Sequence, residues 1–435
     1  MPVVPGDPAV KVANPKCDYS DSSMTHNTGL AKLFNDCFKE IGLFTPPQEI
    51  DNTIRTAING WPCDMFSAES IDEKPTYHGQ YNFNNDKSGW APVVGFEGVA
   101  GIDESKVISL EFLNNSQKLG LFQVDEDIES QFDREFENAL EFNYPKDTVW
   151  SNPNTAKDEK EANSYQKEAI MRLWRWVRDC VPADADTVNF KDISSFKSEK
   201  FKNEASMYFN TRWMRTFYVF TDYNTCFDQR VKNMIWITFD GEVWYILFYD
   251  GDTAYLVRND CFLAYKYDVD RETWGAEKSK YAFEGYASMF WCLILANFEA
   301  ELKSDAAALR EVMTPERVLQ VLNEEQMGNW SARQYNKSGE WKYIKPMLEG
   351  VDVKGTLTKY PHIYALHGSR KHHRIHTIRN RYALLDAKYE TGSYRSDNID
   401  MYLARTATEA ANTSAMVPTA PHRYSRPKGR RRVRR

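Results

Sequence analysis

Two apolar runs, residues 234–239 and 243–249, are rich in Ile, Val, Trp, Tyr and Phe and are separated by Asp240-Gly241. That pattern predicts a β-hairpin buried in a core. Polar residues bracket it: Asp228 and Asn233 precede the first strand, and Asp250 and Asp252 follow the second. Antiparallel pairing brings the two open ends together, so three carboxylates and an amide are expected to converge at one sheet edge. Oxygen ligands gathered this way suit Mg²⁺ or Ca²⁺, and phosphoryl transfer needs a base, an Asn and a metal-binding Asp. Acidic residues that merely cap two strands would give the same spacing.

Elsewhere apolar residues recur at helical spacing. Leu30, Leu33, Phe34, Cys37, Phe38 and Ile41 predict a helix capped by Asn27 or Thr28 and closed by Gly42 and Pro46-Pro47, with a second short helix over 49–58. Residues 62–68 and 78–89 read as strands, and 106–123 as two more. The stripe Ile128, Phe132, Phe136 and Leu140 predicts an acidic helix over 127–142. Further helices are expected over 162–180, from 201 toward 222, over 286–303 and from Thr314-Pro315 to about 326, with an extended stretch over 255–268 between them. The last ordered element is expected over 368–389. Its seam is Ile375, Ile378, Tyr382, Leu385 and Tyr389, and Arg370, Lys371, His372, His373, Arg374, Arg379 and Arg381 form a solvated basic face. His372 and His376 stand four apart, a spacing that also suits a metal pair. Residues 1–16 lack a helical period and read as an extended arm that lies on a neighbour.

Composition narrows the class. The 435 residues, 42% hydrophobic with 12 Trp, 24 Tyr and 24 Phe, can bury a large core. No apolar run reaches the roughly 18 residues of a membrane span, and the N-terminus lacks a signal-peptide pattern, so a soluble chain made in the cytoplasm is expected. Seven scattered Cys without a CxxC pair favour buried free thiols over a disulfide scaffold or zinc site. The net charge is −7, yet seven of the last ten residues are basic, which leaves the remainder twice as acidic as the whole. Arg430, Arg431, Arg432, Arg434 and Arg435 thus form a candidate interaction tail for nucleic acid or an acidic subunit surface. Between the predicted strands, Asn82, Asn84, Asn85, Asp86 and Lys87 form a polar set, either a turn or a place to meet a phosphate or metal; Asn84 and Lys87 are the cofactor-binding candidates.

Several segments together resemble a known family. These are DYSDSSMTHNTGLAKL at 18–33, TPPQEIDNTIRTAINGWP at 45–62, GQYNFNNDK at 79–87, DQRVKN with FDGEVWYILFYDGDTA over 228–254, and HGSRKHHRIHTIRNRYALLDAKYETG at 367–392. In this order they resemble the spore-coat-protein-H-like (CotH) kinases. They are more similar still to the copy of that fold in tail proteins of tailed bacteriophages, called the muzzle in crAss-like podoviruses.

The resemblance implies an α+β, divergent protein-kinase-like fold of two lobes. Residues 17–160 would form the small β-containing lobe with flanking helices, and 161–400 the larger helical lobe around the hairpin at 234–249. Residues 1–16 and 401–435 would be arms, the second flexible and basic. It also implies that Asp250 is the metal-binding acid and Asp228 the base or metal partner, with Asn233 beside it. The family's Gly-rich, Lys-bearing strand pair upstream of residues 18–23 has no counterpart in the short segment here. A kinase needs a loop and a cation over the phosphates. The expectation is therefore a virion structural protein, a tail or muzzle-like subunit that has lost phosphotransfer, needs no cofactor, and forms a ring with its own copies and neighbouring tail proteins. The alternative is an active CotH-type protein kinase that uses ATP with Mg²⁺ or Mn²⁺ through Asp228, Asn233 and Asp250.

Overall fold

A computed structural model describes residues 7–10, 12–16, 25–87, 93–112, 127, 130, 140–145, 164–187, 192–226, 228–230, 233–255, 289–324 and 370–391. The described chain is of mixed α and β structure. Strand β1 (Ala13–Lys16) precedes helices α1 (His26–Glu40) and α2 (Pro46–Ile50) and strands β2 (Gly60–Ser67), β3 (Thr76–Asn85), β4 (Ile108–Phe112) and β5 (Leu140–Tyr144). Helices α3 (Ser164–Cys180), α4 (Glu199–Glu204) and α5 (Thr211–Tyr223) lead into the hairpin β6 (Met234–Thr238) and β7 (Trp244–Phe248). Helices α6 (Met289–Asn297), α7 (Glu299–Val312), α8 (Pro315–Glu324) and α9 (Arg370–Lys388) follow.

Two antiparallel sheets result, one ordered β1-β3-β2 and the other β5-β4-β6-β7. The hairpin forms where its apolar runs predict, every residue of both strands being buried. Its connection is five residues long, because Thr238 pairs with Trp244. Asp240 organises that loop by accepting the amides of Glu242 and Val243, each at 2.8 Å, and Gly241 takes φ +78°. A side chain at Gly241 would run into the Tyr165 hydroxyl.

One hydrophobic core joins the described helices other than α2 to the second sheet. Phe34 of α1 sits at its middle, against Phe38, Trp213, Phe217, Phe220 and Phe248. The indole of Trp213 donates to the Ile246 carbonyl at 2.8 Å, which fixes α5 on β7. Described residues on both sides of the expected division at 160/161 contribute to this core. Strand β4 pairs along its whole length with β6, and α1 packs on α7 and α8. The apolar faces of α1 and β4 are thus completed in part by elements from the later half of the chain.

Several local expectations are corrected. Helix α1 begins after Thr25, not at Asn27 or Thr28, because Asn27 Oδ1 accepts the Gly251 amide at 3.3 Å. The second helix lies at Pro46–Ile50, where Gln48 Oε1 accepts the Thr45 amide at 3.1 Å and Pro46 takes the first helical turn, a position suited to its fixed φ. Residues 51–58 are not helical. Residues 140–142, expected to end the acidic helix over 127–142, are in a strand, because Leu140–Tyr144 pairs with β4; most of the rest of that expected helix lies outside the described residues. The helix expected over 286–303 is two helices meeting at Phe298, whose backbone leaves the helical region (φ −129°, ψ 34°). Arg381, assigned to a solvated face, is buried. Residues 7–16, expected to lie on a neighbour, lie on their own chain. Asp7 takes Arg55 and Asn59, and β1 pairs with β3.

Among the described residues no helix is long and apolar enough to cross a membrane. Of the described cysteines, Cys37, Cys180, Cys226 and Cys292 are buried and Cys63 is half-buried, all as free thiols.

Candidate functional site

The two open ends of the hairpin meet as the pairing requires. A 3-10 turn over Asp228–Arg230 leads into β6, and a second over Gly251–Thr253 follows β7. The Gln229 carboxamide stitches them together, its nitrogen donating to the carbonyls of Tyr249 (3.0 Å) and Asp250 (2.6 Å). Thr253 Oγ1 donates to Asp228 Oδ2 at 3.2 Å. Asn233 and Asp250 both adopt left-handed backbone, at φ 55° and 56°, a region that Asn and Asp tolerate better than most residues. Across this corner Asn233 Nδ2 donates to Asp250 Oδ2 at 3.3 Å. Gly251 packs so closely that a Cβ would lie 2.9 Å from the Phe248 ring. Asp252 lies half-buried in the second turn.

Sequence reasoning did not anticipate the other Asp250 partner. Lys16, the last residue of β1, places its ammonium on Asp250 Oδ1. The same ammonium lies 5.8 Å from the Tyr249 ring centroid. Burial pushes the Tyr249 hydroxyl up to about 12, with Lys16 acting in the opposite sense. Both Asp250 oxygens thus meet donors from the chain itself. Among the described residues no three His, Cys, Asp or Glu side chains gather closely enough to hold a metal ion. The expected convergence of three carboxylates is therefore only partial: the Asp228 carboxylate turns to Thr253, while that of Asp250 turns to Lys16 and Asn233.

The second candidate set is also occupied. Lys87 Nζ lies 2.6 Å from Glu111 and 2.8 Å from Glu141, carboxylates of β4 and β5. Burial works against the Lys87 charge, but Glu111 and Glu141 outweigh it and hold the ammonium above its usual range. Burial likewise raises the Glu111 carboxyl, against the pull of Lys87. Asn84 is buried in β3, and with its nitrogen directed to the carbonyls of Asn82 (3.1 Å) and Asn14 (3.2 Å) it ties β1 to β3.

Beneath the corner lies an ionic network that is buried except at Lys388. Arg230 Nη2 and Nε each lie 2.8 Å from an acceptor on α5, the Tyr218 carbonyl and Thr221 Oγ1, and the guanidinium covers the Tyr218 ring. Asp222 receives Arg381 (2.8 Å), Lys388 (3.1 Å), the Tyr389 hydroxyl (2.7 Å) and, at 3.5 Å, Arg230. Burial would raise the Asp222 carboxyl, but Lys388, Arg381 and Arg230 outweigh burial and hold it well below the usual carboxylate range. Asp386 receives Arg310 (2.7 and 3.0 Å) and the Tyr223 hydroxyl (2.7 Å). Arg381 stands three after Ile378 and four before Leu385, and Asp386 four after Tyr382 and three before Tyr389, the spacing that places both beside the apolar seam of α9 and the clue to charges that turn inward. Gln229 and Lys16 had no such clue.

The side chains of His372 and His376 and the tail Arg430, Arg431, Arg432, Arg434 and Arg435 lie outside the described residues. No protein-family model and no curated protein matches the chain.

Proposed function

We propose that the chain is a structural subunit of a bacteriophage virion, a tail or muzzle-like component on a kinase-like scaffold that does not transfer phosphate. One observation supports this reading above the others: Asp250, the acid that the family resemblance assigns to the metal, is engaged by Lys16 and Asn233. An internal ammonium there supplies the counter-charge a divalent ion would bring, and it joins β1 to the hairpin instead of orienting a phosphate. The ordered resemblance to tail proteins and the acidic body with a basic terminus support an assembling subunit. Calorimetry with ATP and Mg²⁺ or Mn²⁺ tests the loss of phosphotransfer. No heat is expected from the natural chain, and micromolar binding abolished in Asp250→Ala would overturn it. Mass spectrometry of purified particles tests the virion role: the chain is expected in stoichiometric amounts, and its absence would refute that role.

The second reading is an active kinase. It is favoured by Asp228 and Asn233 standing with four residues between them, the separation of base and metal-binding Asn in kinase catalytic loops, and by the left-handed backbone at Asn233 and Asp250. The same titration decides between the two.

A further inference from the structure

Residues 7–16 are held in an unusual way. Asp7 lies 2.9 Å from Arg55 and also accepts from Asn59; Asn14 bonds Asp86; Lys16 bonds Asp250. Every one of these ties is a charge or a polar hydrogen bond. None of the described residues in this stretch belongs to the hydrophobic core, and Val12 is 43% exposed. The surface that receives them is of the opposite kind. Asn82, Asn84 and Asn85 are buried along the β3 edge, with Asn59 beside them donating to the Asp7 carboxylate. Polar groups buried this way require partners, so the β3 edge needs a strand upon it. Among the described residues no side chain of that strand is part of the hydrophobic core of its own body.

We propose that residues 7–16 form an exchangeable arm, and that the β3 edge, together with Arg55, Asp86 and Asp250, is the docking groove for the same residues of a second copy of this chain. The charges specify the occupant: an acid at the start of the arm for Arg55, an amide in the middle for Asp86, and a lysine at its end for Asp250. A second copy offers that series in the same order and spacing, so exchange preserves every contact while linking two bodies. Eight residues, 17–24, connect Lys16 to Thr25 at the head of α1. Extended, such a connector reaches roughly 30 Å. An arm held by apolar burial would have to expose that surface to leave; this one exchanges polar contacts for identical ones. The proposal rests on the reading of the chain as an assembling subunit, since a neighbour held close favours exchange.

The test uses the full chain in two single variants, Asn14→Cys and Asp86→Cys, mixed, incubated and oxidised, with the natural chain as a control for its own thiols. A covalent heterodimer severalfold in excess of either homodimer is expected, growing with concentration. A third chain carrying both substitutions checks the geometry. If it closes within itself while the mixture yields no excess heterodimer, the arm stays at home and the proposal fails. If the double variant does not close at all, β1 does not dock on β3 and the proposal also fails. Sizing the unoxidised natural chain reports assembly separately, so loss of the ring reading is distinguished from loss of exchange.

Discussion

The molecule holds two clusters of acidic residues within one stretch of chain, and they are treated oppositely. At the end of α5, Asp222 is sealed beneath Arg381, Arg230, Lys388 and Tyr389. At the end of β7, Asp250 lies half-buried and meets a single lysine, from an edge strand, and one amide. Arg230 stands between them, two residues beyond Asp228 and within reach of Asp222. The lower cluster is surrounded by cations whose planar guanidinium groups satisfy several acceptors at once. The upper one is held by contacts that water and salt can replace. Architecture is invested in the first cluster and adaptability in the second.

The largest expected difference is in stability. Removing a buried acid strands its cations, so Asp222→Ala should cost about 3–5 kcal/mol, read as a lower denaturant midpoint. A cost below about 1 kcal/mol, the range of surface pairs, would erase the contrast between the clusters.

Acid should act next most strongly. The folded Asp222 carboxyl titrates below its unfolded value of about 3.9. Its stabilisation is therefore full above about pH 4 and is lost as pH falls below that toward the depressed folded value. Lys388→Met removes the partner nearest solvent and brings the two values together, so unfolding midpoints measured from pH 5 to pH 2 should fall less steeply than in the natural chain. An unchanged slope would mean that other carboxylates carry the acid response. Asp305 and Glu111, raised by burial, act with the opposite sign.

The smallest effect is expected at Asp250. Asp250→Ala should shift the same midpoint by less than about 1 kcal/mol, since the pair it breaks is partly solvated. Its consequence should instead be local, as faster hydrogen exchange over residues 82–86 where β1 covers β3. A global loss as large as that of Asp222→Ala would make the hairpin corner part of the core.

How much of this was legible in the sequence depends on range. The hairpin was, because consecutive buried residues and the Asp-Gly pair act within a few positions. Helix α2 was written in Thr45-Pro46-Pro47-Gln48 as a start signal, although two prolines also read as a stop. Residues 140–144 illustrate a competing period: Leu140 extends a helical stripe, yet β4 recruits it into a strand. Arg381 looked solvated because a charged helix face usually is, and only Asp222, 159 residues earlier, turns it inward. Lys16 and Asp250 are separated by 234 positions and share no local pattern that could announce the contact. The acids of the site could thus be named in advance, whereas the cations that determine their state could not.

The bond between Asn27 and the Gly251 amide spans 224 residues. On a ribosome adding roughly 5–20 residues each second, α1 emerges about 10–45 s before the strand turn that completes it. Throughout that interval Leu30, Leu33, Phe34 and Phe38 have no hairpin to cover them, and β4 waits for β6 in the same way. This contact thus closes long after α1 is made, and α1 spends that time as a client for whatever holds apolar surfaces in the cell.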